Sequence, residues 1–427
     1  MQAPTPLAVL LTLAAILVLP GTSRAQSSPA APTDSTLEHT LEAGEATVAA
    51  PRRKLVHWNE YEGPFFTIRA GAGFLYEGAT YVQDDESKQQ FDLDPDTKVR
   101  DFRFLLKGRF KFKRPVTWTA GIMYDGPTDS WLMRETGIMV AVPELWGHLF
   151  IGRTKEGFSL NKVMTGYAGW TMERATFSDA TVPILGDGVK WLGYVPSWHL
   201  LWNAGYYLDS YNARQAFSTY DHQVVLRIAW LPLLSESDRT LLHLGVNGRF
   251  GHVDEDELQL RSRPEAFPAP YFVDTGKFSA SATRMAGWEA YYRRGPWMFG
   301  SEYWFQAVSA PASGDPVFHG GDVVATWLIT GETRAYNTVG GYFKAVSPAR
   351  TVFEGGPGAW EAVARFSYID LDSGVLRGGK FWRFTPMVNW HLSDQLRLEL
   401  AYGYGTLDRF GLRGGTHFFQ SRIQMHL

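Results

Sequence analysis

The residues best suited to chemistry lie on one stretch, RFLLKGRFKFK, from Arg103 to Lys113. Read with a two-residue period, Arg103, Lys107, Arg109 and Lys111 share one face, with Lys113 after them, and Phe104, Leu106, Phe110 and Phe112 share the other. A fixed row of cations concentrates small anions and repels cations, and arginine and lysine linings are how anion and phosphate pores select. Facing lipid near its midplane, each would cost roughly 2–4 kcal/mol, so the row must face water or an interface. On residues alone two readings stand: a lining that selects anions, or the wet face of an amphipathic strand whose charges are balanced by acids from neighbouring strands.

These cations need elements that hold them in place. Two-residue alternation recurs along the chain. Phe66, Ile68, Ala70, Ala72 and Phe74 oppose Thr67, Arg69, Gly71 and Gly73, and Leu242, Leu244 and Val246 oppose His243, Asn247 and Arg249. Trp382, Phe384, Val388 and Trp390 oppose Arg383, Thr385, Asn389 and His391, and in the last segment Phe419, Ile423, Met425 and Leu427 oppose Gln420, Arg422, Gln424 and His426. A soluble β-sandwich would alternate in the same way, but repetition over the whole length, punctuated by turn signals at Asn212, Asp254 to Glu257 and Ser393-Asp394, favours a meander that closes on itself. About seventeen candidate strands can be marked. Single-chain bacterial barrels use even numbers, so sixteen is expected, with eighteen as the alternative.

One stretch breaks the pattern. Gly152 to Gly186, GRTKEGFSLNKVMTGYAGWTMERATFSDATVPILG, holds five glycines and four aromatics and has neither a strand nor a helix period. Loops this long are uncommon unless they are functional. Inside a barrel, such a loop would fold into the lumen and narrow it. Its candidate anion-binding cations are Lys155, Lys162 and Arg174; the last follows Glu173, a carboxylate able to hold the loop by an ion pair instead. Alternation carried on from Leu145 to Ile151 would send Arg153 and Lys155 towards lipid, so Gly152 is expected to mark a bulge or the strand end. Arg227, Arg249 and Arg365 either line the pore or pair with Glu289 and Glu361 to brace the wall.

The motifs resemble those of a known family. GRTKEGFSL followed by TMERA is similar to the strand end and inward loop of the phosphate-selective porin O and P family, with Lys155 and Arg174 at that family's motif positions and Lys162 not clearly so. WLITGETR at Trp327 to Arg334 and GAWEAVARFSYIDL at Gly358 to Leu371 are similar to its two C-terminal signatures. The resemblance runs from about Arg100 to the C-terminus. It implies an all-β, sixteen-stranded outer-membrane barrel, a homotrimer embedded in outer-membrane lipid, and passage of inorganic phosphate or other small anions past Lys155 and Arg174, to which the alternation adds Arg103, Lys107, Arg109 and Lys111 as candidate lining.

Composition agrees with export and a barrel. Leu7 to Leu19 is apolar apart from Thr12, and Ser23-Arg24-Ala25 reads as a small-x-small cleavage site, so a signal peptide over residues 1–25 is expected although its first residues carry no Lys or Arg. Residues 26–62 read as a flexible periplasmic segment, too short to plug a barrel, which argues for passive diffusion, and 63–427 read as the barrel itself. The 427 residues contain sixteen tryptophans and nineteen tyrosines, suited to two aromatic girdles, and no cysteine. Net charge is −3, so any preference for anions must come from where charges sit, and nothing suggests a nucleic-acid partner.

Gly-x-Ser-x-Gly, His-Glu-x-x-His, P-loop and Cys-His metal spacings are all absent, so no enzyme, cofactor or metal is expected. The scattered histidines, His222, His243 and His391 among them, read as girdle or lumen residues. The rival readings are a same-fold porin for organic acids or sugars, in which Tyr167 and Trp170 would matter more than the cations, and a barrel hydrolase or surface-binding protein.

Overall fold

The computed structural model describes residues 59–125, 130–183, 185–209 and 220–427. The expected signal peptide, and the 26–62 segment up to residue 58, lie outside the described residues.

Eighteen strand segments pair into one sheet. Glu60–Glu62 only flanks the first long strand, and two of the segments face the two halves of one neighbour, which leaves sixteen barrel strands. They are β1 Thr67–Gln83, β2 Asp96–Phe110, β3 Val116–Asp125, β4 Ser130–Met133 with Thr136–Val142, β5 Gly147–Thr154, β6 Gly186–Val195, β7 Leu200–Leu208 and β8 Tyr220–Ser235. The second half comprises β9 Thr240–Val253, β10 Ala282–Arg294, β11 Trp297–Ser309, β12 Val317–Leu328, β13 Ala359–Ser373, β14 Leu376–His391, β15 Leu396–Arg409 and β16 Leu412–His426. Each pairs antiparallel with the next, and β16 returns to β1, from Gly73↔His426 to Gln83↔Thr416. Closure abolishes the open sheet edge that a lipid environment would not tolerate.

The expected alternation sets the two faces. Phe104, Leu106, Val246, Phe384, Phe419 and Ile423 point outward and are exposed, while Arg103, His243, Asn247, Arg383, Gln420 and Arg422 point inward and are buried. An apolar outer surface of this kind belongs in hydrocarbon. Cross-strand indole pairs, Trp297 on Trp327 and Trp360 on Trp390, both with centroids 4.9 Å apart, form part of a girdle at the end where the chain terminates.

Inward polar residues are buried because the lumen is filled by three segments, of which sequence reading anticipated one. The segment between β5 and β6, residues 155–185, crosses to the far wall. There Ser159 N–H donates to Asn247 at 2.9 Å, Leu160 N–H to Glu289 at 2.7 Å, and Asn161 N–H to Glu302 at 2.9 Å. Residues 254–281, between β9 and β10, enter from the same end: Phe267 N–H donates to Glu77 at 3.1 Å, and Arg383 donates to Pro264 O at 2.6 Å. Residues 329–358, between β12 and β13, enter from the opposite end, held by Arg334 on Glu361 at 2.7 Å and by Arg227 donating to Gly341 O at 2.6 Å. Those last two partners, Arg334 and Glu361, lie in the two C-terminal motifs, which are therefore the two sides of one latch.

Phe158 is fully buried against Trp304, ring centroids 5.9 Å apart, and anchors the first segment. Phe158→Ala is expected to cost about 3–5 kcal/mol of docking. Limited proteolysis of reconstituted protein should then cut within residues 155–185, where the parent protein is expected to stay intact.

Candidate functional site

The cation row on β2 is shorter than expected. The strand ends at Phe110; Lys111 lies in the turn before Pro115, donates its backbone N–H to Phe65 O, and pairs its amine with Glu62 at 2.9 Å. Arg109 is exposed at the strand end. These two sit at the rim and are not gathered with the others. Further up the strand, Leu75 pairs with Asp101 but Tyr76 pairs with Val99, which makes Arg100 the extra residue of a bulge. The bulge lets Arg100 and Asp101 both face inward, a placement that alternation could not have revealed.

Arg103, Lys107 and Lys155 come together at one cavity of about 300 Å³ on the β1–β2 wall. Arg69 from β1 and Lys190 from β6 complete its cations; Glu135 and Asp394 are its carboxylates, and Tyr167 and His426 also line it. Arg69 is the direct cross-strand neighbour of Lys107. Like charges placed opposite one another destabilise a sheet, and on the Arg69 side Glu60, at 3.4 Å, offsets part of that repulsion. Lys190 donates to Thr154 Oγ1 at 2.8 Å.

A second cavity, about 60 Å³, adjoins the first and contains Arg100, Arg103, Arg174 and Arg422 with Asp101 and Glu173. Arg103 and Tyr167 line both cavities. Arg103 pairs with Asp101 and lies over the Tyr167 ring, 4.7 Å from its centroid. The two cavities thus form a string of basic side chains along one wall, with Arg103 at the junction.

Arg174 reaches this string without bonding to its neighbour Glu173. Its guanidinium donates to the carbonyls of Asn161 and Met164, both at 3.2 Å, tying the inward segment to itself. Glu173 instead takes Arg100, at 2.7 Å, and Arg422. Burial opposes its ionisation, but these two guanidinium groups overcome that and hold the carboxyl at about 2. Burial, with Arg174 nearby, brings Lys162 down to about 7 and Lys155 well below the usual lysine range. Lys155 donates to Met164 O and Lys162 to Ser178 O at 3.2 Å.

The sign of the pH dependence follows. A lysine with a lowered pKa is cationic below that value and neutral above it, so the segment sheds positive charge as pH rises through about 7. Chloride preference in a salt gradient is expected to weaken from pH 6 to pH 9, and Lys162→Met to reduce that dependence.

The remaining cations brace the wall. Arg227 pairs with Glu289 at 2.6 Å as expected, but Arg365 takes Glu265 from the second inward segment rather than Glu361, and Arg249 lies 3.6 Å from Glu156. Gly152 takes φ +133° within β5 while the pairing continues unbroken to Thr154, so no bulge forms there. Arg153 is buried on Asp187 at 3.0 Å. Trp170 is fully buried between Tyr291 and Phe343.

The fold is shared with known outer-membrane proteins. In-vitro folded OmpT of Vibrio cholerae is 11% identical, with TM-score 0.52 over 86% of this chain and 99% of that one. The outer membrane channel DcaP of Acinetobacter baumannii is 9% identical, with TM-score 0.52 over 86% and 99%. A 27% identical relative over 280 residues is an uncharacterized protein of Caulobacter vibrioides; the match covers 62% of this chain and 55% of the relative, so the chain spans about half of that relative's length. The family model for phosphate-selective porin O and P matches residues 91–424. With three lumen-filling segments inside sixteen closed strands and a basic string along one wall, the chain belongs to the phosphate-selective porin O and P family and resides in the bacterial outer membrane.

Proposed function

We propose that the chain is a passive porin whose lumen conducts small anions, phosphate or related oxyanions, past Arg103, Lys107, Lys155 and Arg174. The observation that carries this reading is the larger cavity, where five basic side chains, Arg69, Arg103, Lys107, Lys155 and Lys190, face two carboxylates, Glu135 and Asp394. An anion entering there exchanges water for several weak cationic sites in series, each favourable enough to enter and weak enough to leave. Arg109 and Lys111 serve at the rim, drawing anions towards the mouth. Homotrimeric assembly in outer-membrane lipid goes with this reading, resting on the family resemblance, and native mass measurement in detergent tests it. With Trp170 packed away from both cavities, the aromatic rings left to a sugar track are Tyr167, Phe150 and Tyr342, which line the larger cavity.

Single channels in a planar bilayer across a chloride gradient are expected to show an anion-selective reversal potential. Phosphate titrated into chloride is expected to block the chloride current at concentrations well below that of chloride. A cation-selective or unselective pore would remove the anion reading and leave a porin of broader solute range. Ester hydrolysis without conductance would replace both with the hydrolase.

A further inference from the structure

We propose that Asp221, His222 and His252 bind one divalent transition cation of the zinc class at the rim of the barrel opposite the C-terminus. His222 on β8 and His252 on β9 are cross-strand partners, and Tyr220 pairs with Val253, which leaves Asp221 as the extra residue of a bulge. A bulge sets two consecutive residues against one on the partner strand and re-aims the extra side chain. Asp221 and His222 thereby reach the same partner, His252.

The imidazole rings lie nearly parallel, 15° apart, with centroids 5.1 Å from each other. His222 Nδ1 is 3.0 Å from Asp221 Oδ2, and one donor atom from each of the three residues falls within 4.8 Å of the others. Bonds of about 2.0–2.1 Å to a tetrahedral ion separate its ligand atoms by roughly 3.3 Å, within reach of small side-chain rotations. His252 Nδ1 is shielded from solvent and has no hydrogen-bond partner among the described residues. A buried polar atom left without a partner calls for an explanation such as an unseen ion, and a cation would satisfy this one.

The donor set fixes the ligand class. Two imidazoles with one carboxylate suit zinc, copper or nickel, whereas calcium and magnesium seek oxygen alone. Three protein ligands leave the fourth position open to water or to an outside group. A cation here would staple β8 to β9 at the point where both strands emerge.

The test uses tag-free, full-length protein folded in detergent, with zinc titrated against a chromophoric chelator. One equivalent per chain is expected, and cobalt in its place should give the visible absorption of a four-coordinate imidazole site. His222→Gln and His252→Gln should each weaken binding at least about tenfold, since removing even an outer-shell partner commonly costs that much. Heat-modifiable migration on gels reports that each variant is folded, and Asp221→Asn asks the same question if one is not. Absence of a zinc equivalent in the parent protein, or equal binding by parent and folded variants, would overturn the site.

Discussion

Exchanging Arg69 and Lys107 for glutamate together is expected to invert the sign of the reversal potential. Both side chains line the larger cavity and are cross-strand partners. Two unit charges 4 Å apart interact by about 1 kcal/mol even in water, so turning two cations into two anions shifts a passing ion's energy by on the order of 2–4 kcal/mol. That is roughly a thirty- to several-hundred-fold loss of occupancy for an anion, with an opposite gain for a cation. The barrel should still assemble. The parent pair already sets like charge against like charge, the variant does the same with the opposite sign, and the half-exposed Arg69–Glu60 contact at 3.4 Å is worth under about 1 kcal/mol. The effect should shrink in molar salt, where the screening length falls to about 3 Å. Reversing Arg109 and Lys111 instead is expected to change selectivity far less, because both lie at the rim. If the rim pair inverted the potential and the cavity pair left it alone, the path along the β1–β2 wall would be wrong.

Glu289→Ala should release the first inward segment. Glu289 pairs with the fully buried Arg227, hydrogen-bonds His243 at 2.7 Å, and accepts the Leu160 N–H at 2.7 Å. Removing it leaves Arg227 buried without its carboxylate and frees the start of the short helix Leu160–Val163. Breaking a buried pair from one side costs about 3–5 kcal/mol. Strand pairing does not depend on this carboxylate, so the loss should fall on the segment rather than on the barrel. Single-channel conductance is expected to rise several-fold with anion preference reduced. Glu289→Gln, which keeps an acceptor for Leu160 N–H, should give a smaller rise. Unchanged conductance in a folded Glu289→Ala barrel would mean that this segment does not limit the pore.

The barrel was legible in the sequence because lipid selects one face of every strand. Phe384 against Arg383, or Ile423 against Arg422, states which side meets hydrocarbon without reference to any other strand. The inward course of residues 155–185 was legible for a related reason: a long aperiodic stretch between strands has to go somewhere. Arg103 and Lys107 were therefore legible by type and phase, and Lys155 by its place in that aperiodic stretch. Arg100 and Lys190 were not, because a bulge is a property of two strands in register, and a lone lysine in Val189-Lys190-Trp191 looks like any other inward residue. Residues 254–281 and 329–358 escaped for the same reason. What places them in the lumen is Glu265 meeting Arg365 and Arg334 meeting Glu361, and a sequence does not print its long-range partners. The end of β2 was overrun because Lys111 and Phe112 keep the alternation going into a turn, where only the neighbouring chain stops it.

Glu77 joins the first strand to the last. Fully buried on β1, it receives Arg422 and Gln420 from β16 and the Phe267 N–H from the second inward segment. Glu77 and Arg422 are separated by 345 positions in the chain, so this carboxylate stays without its partner until the cylinder seals. Sealing is also the step at which an error is most damaging. A slip of one residue between β1 and β16 would turn Arg422 out into lipid, at roughly 2–4 kcal/mol, and strand Glu77 among apolar neighbours. The pair therefore proofreads the seam, admitting the correct register and penalising the registers on either side of it.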